Sequence, residues 1–396
     1  MDTNIGAKER VTQNRLIGLF KNVLKYTYLG NWETREGNAN IEEKLLTAYL
    51  SRRGYTDKEI RNANAKLKQS ANSFGGGLYN VNKEVYTLLR YGVNIQSEVT
   101  EKKKMVHLID WANPMENDFQ IAEEVTIQGE SDRRPDLVVY VNGIALAVIE
   151  LKRSTVSAHE GIRQNIRNQQ DGYIPRFFTT IQLLFAGNDT EGLHYGVIKT
   201  PEKFWLRWKE PCGEPCQPSH FTVKEYPNEL DRGVLQFFEP ERLLEYIHDF
   251  IIFDGGVKKA ARPNQYFAVK AAQPRIRKKQ NGIIWHSQGS GKSLTMVWLA
   301  QWIRENVSDA RVVIITDRDE LDKQIESGFK DAGEQIQRAK SGGKLIEMLN
   351  AAEPWLICTL IHKFGNKDDG DTISVGTKKA SKSLDLYLEE LAKSLP

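Results

Sequence analysis

The stretch that most restricts the fold is residues 135–152, PDLVVYVNGIALAVIELK. Two apolar, β-branched runs flank Asn142-Gly143, and this pair tolerates the positive φ of a tight turn, so the segment predicts a β-hairpin. The second run, Ile144–Ile149, has no polar face and predicts a strand covered on both sides. Charges stand at the open end of this hairpin: Asp136 before the first run, Glu150 and Lys152 after the second. Glu150 and Lys152 are two apart on one strand and project to the same face. A regular two-residue turn would set Asp136 opposite Ile149, leaving the two carboxylates on opposite faces. One extra residue sets Asp136 opposite Glu150. Joint action of the carboxylates therefore predicts a bulged or three-residue turn, or a kink near Pro135.

Around the hairpin the pattern is that of a mixed α/β domain. Residues 40–53 have helical spacing, with Ile41, Leu45, Leu46 and Leu50 as the apolar stripe and Gly54 as its end. Residues 82–95 read as a short apolar helix or strand, residues 104–110, 119–127 and 177–186 as strands, and residues 160–171 as a polar helix. The proline-rich stretch 207–232 reads as a surface excursion. The formal net charge of +3 favours no particular partner, so nucleic-acid binding has to come from local patches. Three cysteines exclude a disulfide scaffold. No stretch approaches the length of an apolar membrane helix and the N-terminus lacks a secretory core, so a cytoplasmic protein is expected, with no membrane partner.

The second half alternates strand and helix: a strand at 282–286, the turn SQGSGKS, a helix from Leu294 to about Glu305, and strands at 311–316 and 355–360. That order predicts a parallel sheet. Residues 286–293, HSQGSGKS, carry Gly289, Ser290, Gly291, Lys292 and Ser293 in phosphate-loop register, with His286 where the full pattern has Gly. Glycines let backbone N–H groups close on phosphate oxygens, the lysine reaches the β- and γ-phosphates, and the serine hydroxyl ligates Mg2+. The bland alternative is a flexible Gly/Ser turn, which the strand before and the helix after disfavour. ATP is the implied cofactor.

Asp136, Glu150 and Lys152 suit phosphodiester hydrolysis. Mg2+ prefers hard oxygen ligands, and the reaction needs its developing charge offset. Taken alone, Glu-x-Lys is a common way for a strand to end in solvent. Here it follows Pro-Asp at hairpin spacing on a wholly apolar strand. Gln169 and Tyr173 follow on the next predicted helix, four apart and so on one face. This order resembles the RecB-like branch of the PD-(D/E)xK nucleases. The resemblance implies that Asp136 and Glu150 hold Mg2+, that Lys152 orients or activates the attacking water, and that Gln169 and Tyr173 fix the site or touch DNA. It also implies an acidic residue on the first helix, for which Glu42 is the candidate, with Glu43 next. In the second half, Gln265 resembles the adenine-reading glutamine of superfamily 2 motors, and residues 316–324 their DNA-backbone motif.

A RecB-like nuclease followed by a superfamily 2 motor resembles the restriction subunit of type I restriction-modification enzymes. Stretches such as RRPDLVVYVNGIALAVIELKRSTVS and IIWHSQGSGKSLTMVWLA carry that likeness. It implies a nuclease domain at 1–245 and a first RecA-like motor lobe at 246–396, stopping before the acidic box that completes ATP hydrolysis, so that this chain is an N-terminal part. It further implies double-stranded DNA as substrate, and methyltransferase and specificity subunits as partners. A DNA-end-processing helicase–nuclease of recombination repair, or an ATP-binding subunit without turnover, are the other readings. Cys212, Cys216 and His220 offer three zinc-ligand types without a fourth and read as a solvent loop. The basic runs Lys102–Lys104 and Arg275–Lys279 suit either phosphates or solvent.

Overall fold

The computed structural model describes residues 5–95, 104–210 and 220–364, with side chains from residue 9 onward. Lys102, Lys103, Cys212 and Cys216 lie outside the described residues. The chain divides into two compact units. The first holds Met1–Ile252 and Gly256–Phe267; the second holds Phe253–Gly255 and Ala268–Pro396. The sequence-based boundary at 245/246 falls inside a helix, Pro240–Asp249. Among the described residues no helix is long and apolar enough to cross a membrane.

The first unit opens with α1 (Ile5–Asn22), β1 (Thr27–Asn31), α2 (Glu43–Arg52), α3 (Asp57–Asn72) and α4 (Gly77–Tyr91), followed by the small pair β2 (Val93–Ile95) and β3 (Lys104–Val106). Then come β4 (Phe119–Glu123), β5 (Leu137–Val141), β6 (Ile144–Leu151), α5 (Ala158–Asn168), β7 (Leu183–Asn188), β8 (Gly192–Gly196), β9 (Leu206–Arg207), α6 (Glu229–Phe237) and α7 (Pro240–Asp249). Seven strands form one sheet in the order β1-β4-β5-β6-β7-β8-β9. The sheet is mixed: β1 runs parallel to β4 and β6 parallel to β7, while the other neighbours are antiparallel. As the unbroken apolar run requires, every residue of β6 is buried. On one face Val138, Val148, Leu184 and Ala186 pack with Ile162 of α5. On the other, Phe185 meets Phe237 and Phe238 at ring separations of 4.9 and 4.6 Å, and Phe20 of α1 reaches Phe238 at 5.2 Å.

The hairpin turn is a regular two-residue one, with φ of 54° at Asn142 and 78° at Gly143. The extra residue lies elsewhere. Near the turn Tyr140 pairs with Ala145, but beyond it Val139 pairs with Ala147, so Leu146 is left as a bulge inside β6. The bulge forms because its backbone groups find partners outside the hairpin. The Leu146 carbonyl accepts from Gln182 N–H at 2.8 Å, Ala145 N–H donates to the Asn40 carbonyl at 2.9 Å, and the Ala145 carbonyl accepts from the Thr180 hydroxyl at 2.8 Å. The turn itself is buried: Asn142 bonds Asp118 N–H through its side-chain oxygen and the Leu108 carbonyl through its amide.

Other expectations shift. The helix expected at 40–53 starts at Glu43, and Ile41 instead bridges Ile144. The run 177–186 begins as a 3-10 turn, and strand starts only at Leu183. The polar helix ends at Asn168, with Gln169 as its cap, and Gly172 at φ 87° lies in the turn that follows.

In the second unit, α9 (Lys292–Asn306), α10 (Asp319–Asp331) and α11 (Gly342–Asn350) accompany β12 (Val312–Thr316), β13 (Gln337–Arg338) and β14 (Leu356–Leu360). In chain order before them come β10 (Ile251–Asp254) and α8 (Pro263–Arg277), each divided between the two units, and β11 (Val257–Ala260), which belongs to the first. The sheet is parallel, in the order β12-β14-β13. Val297 and Ala300 of α9 and Ile325 and Phe329 of α10 pack on Ile314, Leu356 and Cys358. The strand expected at 282–286 does not form. A strand needs a ladder, and no described strand pairs with this segment; Ile283 and Trp285 are 89% and 91% exposed.

A Cβ on Gly143 would stand 2.6 Å from the Leu45 Cβ and 2.8 Å from the Glu42 carbonyl oxygen, at a φ that disfavours any side chain. Gly143→Ala should therefore destabilise the first unit by about 2 kcal/mol or more in urea unfolding of the full chain. An unchanged midpoint would contradict the buried-turn geometry.

Candidate active site

The bulge decides what the open end of the hairpin looks like. With Leu137 paired to Ile149, the next pair outward is Asp136 and Glu150, on one face. Asp136 Oδ2 accepts from Leu151 N–H at 2.6 Å, which aims its carboxylate across β6. Glu150 is fully buried, and neither of its carboxylate oxygens accepts from an N–H or hydroxyl donor; the Asp136 carboxyl is close enough to share a proton with it. Helix α5 lies close above it because Gly161 has no side chain: a Cβ there would be 3.3 Å from the Glu150 Cβ and 3.1 Å from that of Ala186. Lys152 Nζ donates to the Leu151 carbonyl at 2.8 Å and pairs with Glu9 of α1 at 3.4 Å.

The electrostatics follow from burial. It pushes the Asp136 carboxyl up to about 6, against the pull of Lys152 and the Leu151 N–H. It pushes Glu150 well above the usual carboxylate range, and the neighbouring Asp136 charge adds to the rise. For Lys152, burial favours the neutral amine, but the charges of Asp136, Glu150 and Glu9 outweigh it and the ammonium is held. Two carboxylates thus share one enclosed place with one ammonium, and two buried oxygens lack N–H or hydroxyl donors. A hard divalent cation matches this donor set.

Glu9 was not found from sequence. It belongs to an N-terminal helix whose apolar residues Leu16, Ile17 and Phe20 would have been the signal. The same helix is tied to the strand ends by further polar contacts. Arg10 pairs with Glu123 at 3.0 Å and Glu124 at 3.3 Å, and Gln13 donates to Glu123 at 3.0 Å. Arg15 bonds Asp189 and, at 3.0 Å, Asp231.

The structure does not bring Glu42 into this group. Its backbone N–H donates to the Gly143 carbonyl at 2.8 Å, so it sits at the turn end of the hairpin. Six residues of strand separate that end from Glu150, about 20 Å. There Arg35 grips the Glu42 carboxylate at 3.0 and 2.6 Å. Glu43 pairs with Lys68. Gln169 and Tyr173 do not share a helix face, because α5 has already ended. Gln169 donates to the Asn165 carbonyl and accepts from Lys199 N–H, both at 2.8 Å, joining the helix end to the turn before Thr200. The Tyr173 ring lies under the Arg133 guanidinium at 4.3 Å.

In the second unit, Gly289 and Gly291 adopt φ of 76° and 86°, and α9 starts at Lys292 without a side-chain cap. Lys292 is exposed, and its Nζ donates to the Ser287 carbonyl at 3.1 Å. Ser293 is in the first turn of α9. A turn with two left-handed glycines running into a helix N-terminus suits a polyphosphate. Gln265 is buried, accepts from Arg262 N–H at 2.7 Å, and belongs to the first compact unit. In the segment after β12, Asp319 and Asp322 both bind Arg338.

The chain matches two family models, type I restriction enzyme R protein N terminus over residues 7–203 and SWI2/SNF2 ATPase over residues 264–389. It is similar to the putative type I restriction enzyme MjaIXP endonuclease subunit of Methanocaldococcus jannaschii, with 28% identity over 91% of this chain and 38% of that protein. It is also similar to the HindI endonuclease subunit of Haemophilus influenzae, with 27% identity over 69% of this chain and 27% of the relative. A Staphylococcus aureus endonuclease subunit, SauMSSORF170P, matches at 25% over 71% of this chain and 30% of its own length. The chain thus spans less than two fifths of these curated relatives.

Without a bound cation, ionising the buried pair costs stability. The folded-state pKa of Asp136 and Glu150 is raised, so the folded chain binds more protons than the unfolded one, and stability falls as pH rises from the ordinary carboxylate range through about 6 for Asp136 and further for Glu150. Glu150→Gln should therefore raise the thermal midpoint of the metal-free chain at pH 7.5 and change it little at pH 5. A lowered midpoint at pH 7.5 would contradict the buried-charge account.

Proposed function

This chain belongs to the type I restriction enzyme R proteins, and we propose that it supplies the DNA-cleaving domain and the start of the motor of such an enzyme. The reaction is Mg2+-dependent hydrolysis of double-stranded DNA, coupled to ATP-driven translocation. It takes place in a complex whose methyltransferase and specificity subunits read methylation and sequence. The observation that carries this reading is the meeting of Asp136, Glu150 and Lys152 at one end of β6, with the Glu150 oxygens, which accept from no N–H or hydroxyl donor, at its centre.

Each residue has a chemical task. Asp136 and Glu150 are the cation ligands, and burial disfavours their ionised forms until a cation offsets the charge. Mg2+, when bound, offsets charge on the phosphate oxygens and makes a coordinated water more acidic. Lys152, held as an ammonium, orients the attacking water and donates to the phosphate oxygens as negative charge grows. Glu9 positions that ammonium and completes the acidic set, the task first considered for Glu42. Gln169 ties the far end of α5 to the turn before Thr200, and so fixes the helix whose Gly161 lies over Glu150. Nucleotide chemistry is assigned to the second unit: backbone N–H groups around Gly289, Ser290 and Gly291 cradle phosphate, Lys292 meets the β- and γ-phosphates, and Ser293 ligates Mg2+. Gln265 is proposed to contact adenine. The proposed domains are residues 1–245 for the nuclease, with a PD-(D/E)xK fold, and 246–396 for the RecA-like lobe.

Asp136→Ala and Lys152→Ala should each reduce DNA cleavage by the assembled complex at least 1000-fold, on the order of what loss of a principal catalytic group costs, while DNA-stimulated ATP hydrolysis persists. Cleavage surviving both changes would refute the assignment. Lys292→Ala should remove ATP hydrolysis and, with it, cleavage that depends on translocation; unchanged turnover would exclude the phosphate-loop role.

A further inference from the structure

We propose that Arg133 binds a DNA backbone phosphate beside the cleavage site, and that Tyr173 is the positioning residue holding it there; this rests on the nuclease reading above. Two other arginines of this region, Arg134 and Arg10, are already paired with carboxylates. Arg134 pairs with Glu124 at 2.8 Å and with Glu33, and Arg10 with Glu123 and Glu124. Arg133 differs. Its guanidinium donates to the Asp132 carbonyl at 2.8 Å and stacks on the Tyr173 ring at 4.3 Å, and among the described residues it has no carboxylate partner. The Asp132 carboxylate instead accepts from Gly129 N–H at 3.1 Å.

The placement is built. Arg133 and Ile127 exchange backbone hydrogen bonds of 3.1 and 2.8 Å, which continue the β4–β5 ladder beyond its ends. The loop between them touches the turn after α5, and only glycine fits at the contact: a Cβ on Gly129 would be 2.4 Å from the Tyr173 carbonyl oxygen. The ring therefore faces a guanidinium whose own backbone is fixed. A cation over an aromatic face is attracted to it and loses rotamer freedom in advance, while its N–H fork stays available. That fork matches the geometry of phosphate oxygens. Arg133 is three residues from Asp136, so at most about 10 Å of chain separates them. Phosphates of one DNA strand recur about every 3.4 Å of helix axis. Arg133 therefore suits a neighbouring phosphate and not the one being cut. The occupant is a nucleic-acid backbone, the polyanion on which the proposed phosphodiester-cleaving group next to it in the chain acts.

The test is the salt dependence of binding of a labelled duplex to the full chain, by fluorescence anisotropy, with Ca2+ in place of Mg2+. Arg133→Gln should weaken binding and lower the slope of log affinity against log salt by about 0.9, the loss of one phosphate contact. Tyr173→Ala should reproduce much of that change, and the double variant should be no weaker than Arg133→Gln alone. Tyr173→Phe, which keeps the ring face, should restore the wild-type slope. A wild-type slope in Arg133→Gln, additive losses in the double variant, or no duplex binding by the chain would overturn the proposal. Asp136→Ala separates the two levels: if it abolishes cleavage while Arg133→Gln keeps the wild-type slope, only the phosphate contact fails. If cleavage survives Asp136→Ala, the nuclease reading fails.

Discussion

One unpaired residue organises the first unit. Leu146 interrupts the ladder between β5 and β6, and every pair beyond it is shifted by one position. Without that shift Asp136 would face Ile149, and its carboxylate would lie on the far side of the sheet from Glu150. With it, two acids meet across adjacent strands. The shift persists because Asn40, Thr180 and Gln182 supply hydrogen bonds that a regular hairpin would not need. Two of these residues precede β7 and one precedes α2, so the packing around the hairpin holds the site in register.

The meeting of the two acids is costly, and the cost has a chemical use. Burial raises both pKa values, and the partly offsetting Lys152 ammonium is itself held by Glu9 from another helix. Such a cluster fits the proposed cation, whose binding would exchange protons for metal and remove the repulsion between the carboxylates. Helix α1 is part of this arrangement, since its Glu9 pairs with Lys152 while its Arg10, Gln13 and Arg15 side chains reach acidic groups or backbone.

What could be read from sequence was local. Asn142-Gly143 specified the turn, the run Ile144–Ile149 specified a covered strand, and the phosphate loop specified the start of α9 within two residues. What could not be read was long-range. Leu146 looks like any other leucine of the run, and its role comes from partners 35 or more residues away. Glu9 reaches Lys152 across 143 residues of chain. Residues 282–286 have the composition of a strand, but composition does not provide a neighbour to pair with. The early end of α5 was not legible: Gln169 caps it three residues before Gly172, and the i, i+4 spacing of Gln169 and Tyr173 gave no sign of that.

The central claim is that Asp136 and Glu150 form one buried cation site that exchanges protons for metal. Calorimetric titration of the full chain with Mn2+ at pH 6, in two buffers of different ionisation enthalpy, measures this directly. The account predicts one tight site with net proton release, and loss of both binding and release in Asp136→Asn and in Glu150→Gln. Binding of equal strength in either variant, or binding without proton release, would contradict it.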